Sequence, residues 1–268
     1  MRRRTLGTVS ALALAGLLAA CGGGDSGGSG GTGGSGSSQE ALTFGTEGTY
    51  APFSYHDEQS GELVGYDIDV AKAVGEHLGR EVDFSENTWD ALFAGMEAGR
   101  YEGIANQVSI TPEREAEYSF SAPYTVSTGV VVTRADDTSV TSLADVAGKT
   151  SAQSTTSNWA QTATDAGARV EAVEGFAQAV TLLKQGRVDV TINDNLAVLD
   201  YLKTTGDEDI KIAAETPEST QQAFVFRKDE ADLAKEVGDA VEALRADGTL
   251  ARISQEWFGQ DVSGPAAG

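Results

Sequence analysis

Residues 93–107 read FAGMEAGRYEGIANQ, and residues 180–194 repeat this pattern as VTLLKQGRVDVTIND at an offset of 87 residues. In each copy an apolar helical pattern stops at a glycine, Gly99 or Gly186, and a short strand follows. The two strands end in side chains that form strong hydrogen bonds: Asn106, Gln107, Asn193 and Asp194. Ligand crevices of open α/β sheets lie at the carboxyl ends of strands. Although helix–glycine–strand units are common in α/β proteins, the repeat favours two similar lobes that face one cleft.

Short strand-like runs alternate with helical patterns on both sides of this repeat. Residues 42–45 and 82–84 are typical of strands, and the segment between them carries apolar residues at helical spacing before a stop at Gly79. Near the carboxyl end, Gly248 separates two further helical patterns. This alternation predicts an α/β architecture with mainly parallel strands.

The amino-terminal segment has the order of a secretory signal. Arginines at positions 2–4 precede an apolar stretch from Leu6 to Ala20, and Cys21 follows. Residues 18–21, LAAC, resemble the lipobox of bacterial lipoproteins, in which the signal is cut before a lipidated cysteine. We therefore expect a signal peptide over residues 1–20 and a lipid-attachment site at Cys21. The alternative is an ordinary signal peptide followed by a stray cysteine; because the chain has one cysteine, no intrachain disulfide can form.

The composition of the rest of the chain excludes several classes of partner. Residues 22–38 are almost entirely Gly and Ser, so residues 21–39 are predicted to form a flexible tether behind the lipidated cysteine. The chain has 41 acidic and 19 basic residues and a formal net charge of −22, which argues against nucleic acid as a partner. With two histidines and no clustered ligands, neither a metal nor another cofactor is predicted.

An ordered series of segments extends over the body: 45–53 GTEGTYAPF, 65–69 GYDID, 88–90 TWD, 109–114 SITPER and 120–124 FSAPY. Through them the chain resembles the family 3 extracellular solute-binding proteins, the amino-acid receptors of ATP-driven importers, from residue 42 to residue 262. The resemblance implies an α/β, two-lobed periplasmic-binding-protein-like fold (type II), with mixed, mostly parallel sheets and a hinged cleft. Lobe 1 would comprise residues 40–127 and 222–268, and lobe 2 residues 128–221, with crossing strands near residues 126–128 and 220–222.

The resemblance also implies a site for a free amino acid, whose two charged groups must both be paired when they are buried. Arg114 offers a planar fork for the ligand carboxylate, which Thr155 and Thr156 would grip from the other lobe. Asp194 is the implied counter-ion of the ligand ammonium group, and Ser109 is an additional acceptor.

Both charged residues have structural alternatives. Arg114 lies in the first turn of a predicted helix and could pair with a neighbouring acid, Glu113 or Glu117. Asp194 could cap the helix that is predicted to follow it. The ordered family-like segments favour ligand contact over these alternatives.

Two aromatic residues, Tyr50 and Trp89, match positions where the family places the walls of the ligand pocket. Aromatic walls clamp the aliphatic or sulfur-bearing part of a ligand by burying its area. The alternatives are that Tyr50 belongs to the core and that Trp89 only staples its own helix.

Ligand choice is indicated by Glu47 and by the strand end formed by Asn106, Gln107 and Val108. Glu47 stands where receptors for basic amino acids have an aspartate, and together these residues look like the cystine-receptor branch of the family. Glu47 would meet the second ammonium group of cystine, and the amide of Asn106 or Gln107 its second carboxylate. This interpretation ranks L-cystine first and other polar or basic amino acids, such as arginine, glutamine and histidine, second.

The resemblance further implies a permease of an ABC transporter as partner, a monomeric receptor, and a position on the extracytoplasmic face of the cell membrane through the lipid anchor. A competing class is an enzyme, because some dehydratases and cell-wall lyases share the fold, with Glu47 or Asp194 as acid or base. No enzyme is expected, since the cleft carboxylates already have ammonium partners in an amino-acid ligand. A sensing module that signals without transport stays open as a third reading.

Overall fold

The computed structural model describes residues 40–264. Over this span the chain forms twelve strands and eight α-helices. The strands are β1 Leu42–Thr46, β2 Thr49–Tyr50, β3 Ser54–His56, β4 Leu63–Val64, β5 Val82–Glu86, β6 Gly103–Ser109, β7 Tyr118–Phe120, β8 Thr125–Arg134, β9 Thr150–Gln153, β10 Arg169–Ala172, β11 Val190–Asp194 and β12 Ile210–Arg227. The helices are α1 Tyr66–Leu78, α2 Trp89–Glu97, α3 Pro112–Glu117, α4 Asn158–Asp165, α5 Phe176–Lys184, α6 Asn195–Thr205, α7 Ala231–Ala246 and α8 Thr249–Phe258.

The predicted signal peptide, Cys21 and the tether lie outside the described residues. Among the helices of residues 40–264, none is long and apolar enough to span a membrane.

Within the described span, nine strands form one mixed sheet in the order β10-β9-β11-β8-β12-β6-β1-β5, with β7 paired to β12. Strand β1 runs parallel to β5 and β6, and β9 runs parallel to β10 and β11. The central strands β8 and β12 are antiparallel to each other and to their outer neighbours. The two outer parts therefore have matched orders, β1-α1-β5-α2-β6 and β9-α4-β10-α5-β11, apart from the small β2-β3-β4 sheet after β1. The predicted α/β fold is confirmed.

The sequence repeat coincides with the α2–β6 and α5–β11 units of these two halves. Each helix is followed by the predicted glycine, and Gly99 and Gly186 have left-handed φ angles of 69° and 68°. A side chain with a Cβ is strained in this conformation, so glycine allows the chain to turn directly from helix to strand. The turn sends β6 and β11 back through the sheet, with their carboxyl ends at the cleft.

The chain passes between the two halves through β8 and β12. These strands are paired at the predicted crossings, with Val126 opposite Gln221 and Ser127 opposite Thr220. The pairing is irregular farther into the second half, where its register shifts between Glu215 and Ser219. Both connections therefore lie side by side in one hydrogen-bonded ribbon.

The hydrophobic clusters divide along the same line. In the first half, Phe224 lies at the centre of an aromatic cluster, with ring centroids 5.0 Å from Phe44 and 4.6 Å from Tyr124. In the second half, alternate valines of β8 pack on opposite faces, since Val130 and Val132 contact one cluster and Val131 another. We propose that, within the described span, lobe 1 comprises residues 40–127 and 222–264. Lobe 2 comprises residues 128–221.

Candidate functional site

The carboxyl ends of strands from both lobes surround one cavity. Lobe 1 contributes residues at the ends of β1 and β6, and lobe 2 contributes residues at the ends of β9 and β11. The residues that line it include Glu47, Tyr50, Trp89, Asn106, Gln107, Gln153, Ser154, Asn158, Phe176 and Asn193. The repeat thus brings its strand ends together, as the sequence predicted.

Glu47 follows β1 and lies against the neighbouring strand β6. Asn106 Nδ2 donates to Glu47 Oε2 over 2.6 Å, while Asn106 Oδ1 accepts from the Glu47 backbone N–H over 2.8 Å and from the Thr46 hydroxyl over 3.1 Å. Burial raises the pKa of Glu47 to about 7, against the lowering effect of the hydrogen bond from Asn106. A desolvated carboxylate that is held in this way is a strong site for a cationic group.

Gln107 is held by a buried carboxylate on α1. Its backbone N–H donates to Asp67 Oδ2 over 2.8 Å, and its Nε2 donates to Asp67 Oδ1 over 2.6 Å and to the Thr125 hydroxyl over 3.1 Å. Gln107 is the one non-glycine residue of the described span with a positive φ angle, 49°. Burial raises the pKa of Asp67 to about 7, against the hydrogen bonds from Gln107. Sequence reasoning missed Asp67, although it belongs to the family-like segment 65–69.

Asp194 ends β11 and is fully buried beside the crossing strands. Its Oδ1 accepts the Leu196 backbone N–H over 2.9 Å at the start of α6, and its Oδ2 accepts a short hydrogen bond from the Ser127 hydroxyl. Burial raises the pKa of Asp194 to about 6, against both hydrogen bonds. The capping alternative is therefore confirmed, and the role as ammonium counter-ion stays a prediction.

Two aromatic residues of lobe 1 border the cavity as predicted. The Tyr50 hydroxyl donates across the cleft to Asn193 Oδ1 over 2.6 Å. Trp89 is 8% exposed, and its Nε1 has no hydrogen-bond partner among the described residues. Asn193 was not predicted as a site residue, yet the repeat aligns it with Asn106.

Arg114 lies beside the cavity, in a wider groove between α3 and the start of α4. Its Nη1 donates to the Ser109 carbonyl over 3.0 Å and its Nη2 to the Thr156 carbonyl over 3.3 Å. The guanidinium carbon lies 5.4 Å from the Trp89 ring centroid, which fits a cation–π contact. Burial lowers the pKa of Arg114 to about 10. Within residues 40–264 it forms no ion pair, so the structural alternative, a pairing with Glu113 or Glu117, is absent from this structure.

Thr155 and Thr156 contact Asp90 of lobe 1, a residue that sequence reasoning quoted only as part of a family-like segment. The Thr155 hydroxyl donates to Asp90 Oδ2 over 3.0 Å. The Thr156 hydroxyl and backbone N–H donate to Asp90 Oδ1 over 2.6 Å and 3.2 Å. In this structure, the donors predicted for a ligand carboxylate thus hold a protein carboxylate across the cleft, outside the inner cavity.

Six predicted residues do not line the cavity: Arg114, Thr155, Thr156, Asp194, Val108 and Ser109. Val108 is fully buried and packs among Trp89, Ile104 and Val225 of the lobe 1 core. Ser109 is 3% exposed, and its backbone carbonyl supports Arg114. Lobe 2 instead supplies lining residues that the sequence did not reveal, namely Gln153, Ser154, Asn158 and Phe176.

The sequence of the chain matches the family model of bacterial extracellular solute-binding proteins, family 3, over residues 42–260. The chain belongs to this family. Among curated relatives of this solute-binding protein, the L-cystine-binding protein TcyA of Bacillus subtilis is 48% identical over 269 residues, covering 98% of this chain and 100% of TcyA.

Two solved structures clarify the arrangement of the lobes. The L-cystine solute receptor of Neisseria gonorrhoeae, in its unliganded open conformation, is 43% identical with a TM-score of 0.58, covering 84% of this chain and 95% of its own. An ancestral arginine-binding protein bound to arginine is 34% identical with a TM-score of 0.77, covering 83% and 100%. Despite its lower identity, the arginine-bound relative superposes better on this structure than the open receptor does. The closer match to a liganded protein agrees with the hydrogen bonds of Tyr50 and Asp90, which join the two lobes here.

Proposed function

We propose that this protein captures a polar amino acid, L-cystine before others, between its lobes and delivers it to the permease of an ABC importer. The observation that carries the proposal is the pair Glu47 and Asn106 at the wall of the inter-lobe cavity. A desolvated carboxylate there needs a cation, and an amino-acid ligand brings one as its ammonium group. The 48% identity to an L-cystine-binding protein over nearly the whole chain supports cystine as that ligand.

The charges around the cleft suit a zwitterion. Arg114 has no anionic partner among the described residues and is available to the ligand carboxylate. Glu47 and Asp194 are acidic groups on opposite lobes, which suits a ligand with two ammonium groups. Trp89 and Phe176 line the cavity from opposite lobes and suit the apolar disulfide between the two halves of cystine.

The identity of the ligand is tested by native mass spectrometry of the body, residues 40–268, followed by calorimetry. We expect tight, stoichiometric binding of L-cystine and weaker binding of arginine, glutamine and histidine. A clear response to arginine or glutamine with none to cystine would overturn the ranking. Conversion of a bound amino acid to a product would favour an enzyme instead.

Two cystine analogues test which charged groups of the ligand the cleft binds. The mixed disulfide of cysteine with 3-mercaptopropionate lacks the second ammonium group, and the mixed disulfide of cysteine with cysteamine lacks the second carboxylate. We expect the first analogue to bind at least about tenfold more weakly than cystine, because Glu47 would be left buried without its cation. Equal affinity of this analogue and cystine would remove Glu47 from the site.

We also propose that the mature protein is anchored through Cys21 to the outer face of the cell membrane. Support comes from the signal-like residues 1–20 and the LAAC segment that ends at Cys21. Multiple acyl chains give durable anchoring where one does not. Import, rather than signalling alone, is supported by the relatives named as transporter-binding proteins. Binding of the ligand-loaded protein to a permease encoded by a neighbouring gene would test import directly.

A further inference from the structure

The side-chain amide of Gln107 can adopt only one orientation that satisfies its neighbours. Gln107 is 7% exposed, and one end of its amide lies between the Asp67 carboxylate and the Thr125 hydroxyl. Above its pKa of about 7 the Asp67 carboxylate accepts hydrogen bonds and donates none, so in this ionised state the amide nitrogen must be the atom that faces it. A flipped amide would place its oxygen against the oxygen of Asp67, 2.6 Å away.

The amide oxygen of Gln107, Oε1, is buried and has no hydrogen-bond partner among the described residues, although the residue lies at the ligand cavity. An amide oxygen left in this state costs free energy unless a ligand supplies a donor. The backbone adds to the constraint, because the φ angle of 49° is held in place by the hydrogen bond from Gln107 N–H to Asp67.

We propose that Asp67 is a positioning residue that locks Gln107 as a hydrogen-bond acceptor for an ammonium group of the ligand. This inference rests on the proposed amino-acid ligand. It replaces the prediction from sequence that the amide of Gln107 donates to a second carboxylate, because both of its N–H groups are engaged by Asp67 and Thr125.

The Asn106 amide is also oriented by its neighbours. The amide nitrogen of Asn106 donates to Glu47, and its oxygen accepts from Thr46 and from the Glu47 backbone. Glu47 and Gln107 therefore offer acceptors, while Asn106 uses one of its two amide N–H groups on Glu47 and the Trp89 Nε1–H has no partner among the described residues. From lobe 2, Ser154 and Asn158 line the cavity and offer further donors for a second carboxylate of the ligand.

A ligand-free experiment tests the lock. The side-chain NH₂ protons of Gln107 are followed by ¹⁵N NMR, assigned by their absence in Gln107→Met, and their exchange with water is measured. In the natural protein we expect exchange at least about tenfold slower than for exposed glutamines, because the protons are buried and bonded. In Asp67→Asn the new amide nitrogen repels that of Gln107, so the Gln107 amide flips and its protons exchange faster. Rapid exchange in the natural protein, or no change in Asp67→Asn, would overturn the lock.

A binding experiment tests the acceptor role with L-cystine as the probe. Asp67→Asn turns a donor of Gln107 toward the ligand ammonium, so affinity should fall about ten- to a hundredfold. In the Gln107→Met background the same substitution should change affinity less than about twofold, because no amide is left to flip. A merely structural role of Asp67 would give equal losses in both backgrounds and would overturn the proposal.

Asp69→Asn is the matched control on the same helix. Asp69 accepts a hydrogen bond from Trp257 Nε1 over 2.9 Å, away from the cavity, and an asparagine oxygen can still accept it. Its substitution should leave affinity and amide exchange unchanged. If the natural protein binds no amino acid, the proposed function and the acceptor role both fail, while slow exchange of the Gln107 amide would still establish the lock.

Discussion

Substituting Glu47→Gln should stabilise the ligand-free protein while weakening ligand binding. The folded protein holds the Glu47 proton up to a pKa of about 7, whereas an unfolded glutamate loses it from its ordinary value of 4.5. The folded state therefore binds more protons between these values, and its stability falls as pH rises through this window. Glutamine stays neutral and keeps an oxygen for the Asn106 donor, so the variant does not lose stability as the pH rises through this window.

The size of the effect follows from the two pKa values. At pH 8 the difference between about 7 and 4.5 corresponds to about 3 kcal/mol, and at pH 5 to about 1 kcal/mol. For a body of this size, about 3 kcal/mol corresponds to a rise in Tm of about 6–12 °C. Calorimetric melts of both proteins at the two pH values measure the difference.

Glu58→Gln is the control, because Glu58 is an exposed glutamate and its substitution should change neither melt. Affinity for L-cystine should fall in Glu47→Gln because the ammonium group loses a charged partner. An equal gain in stability at pH 5 and pH 8, or no gain at either, would refute the desolvation of Glu47. A gain in stability with undiminished affinity would show that Glu47 does not bind the ligand.

Three further substitutions test the remaining parts of the molecule. Asp90→Ala removes three hydrogen bonds that join the lobes and should speed L-cystine dissociation about tenfold in stopped-flow measurements, whereas an unchanged rate would show that these bonds do not hold the cleft closed. Arg114→Ala should lower affinity at least about fiftyfold in calorimetry, and undiminished affinity in a folded variant would remove Arg114 from the site. Cys21→Ala should release the protein from membrane fractions; persistent fractionation with membranes would contradict the lipid anchor.

The architecture could be predicted from the sequence because its signals are local. Glycines such as Gly99 and Gly186 mark helix ends through backbone conformation alone, and the repeat fixes which strand ends share the cleft. The crossing strands were placed through the family resemblance, and the structure pairs them there. These features depend on few long-range contacts and can therefore be predicted from the sequence alone.

The details of the site could not be predicted in the same way, because they depend on which partner each polar atom meets in space. Arg114 meets backbone carbonyls rather than the acids beside it in sequence, and Thr156 meets a carboxylate 66 residues away. Gln107 lines the cavity, yet its side-chain N–H groups are taken by Asp67 and Thr125 on other elements. Sequence identifies residues that can bind; only the fold decides which of their atoms are free.

The matched halves of the sheet also bear on ancestry. Each half ends with the strand that reaches the cleft, so two copies of one half around a two-fold axis would already enclose a cavity lined by identical strand ends. Duplication and fusion of one ancestral half would produce the chain order seen here. The equivalent positions have since diverged, since Gln107 in one copy of the repeat aligns with Asp194 in the other. A symmetric ancestor would treat both ends of a ligand alike, whereas the present protein tells one end from the other.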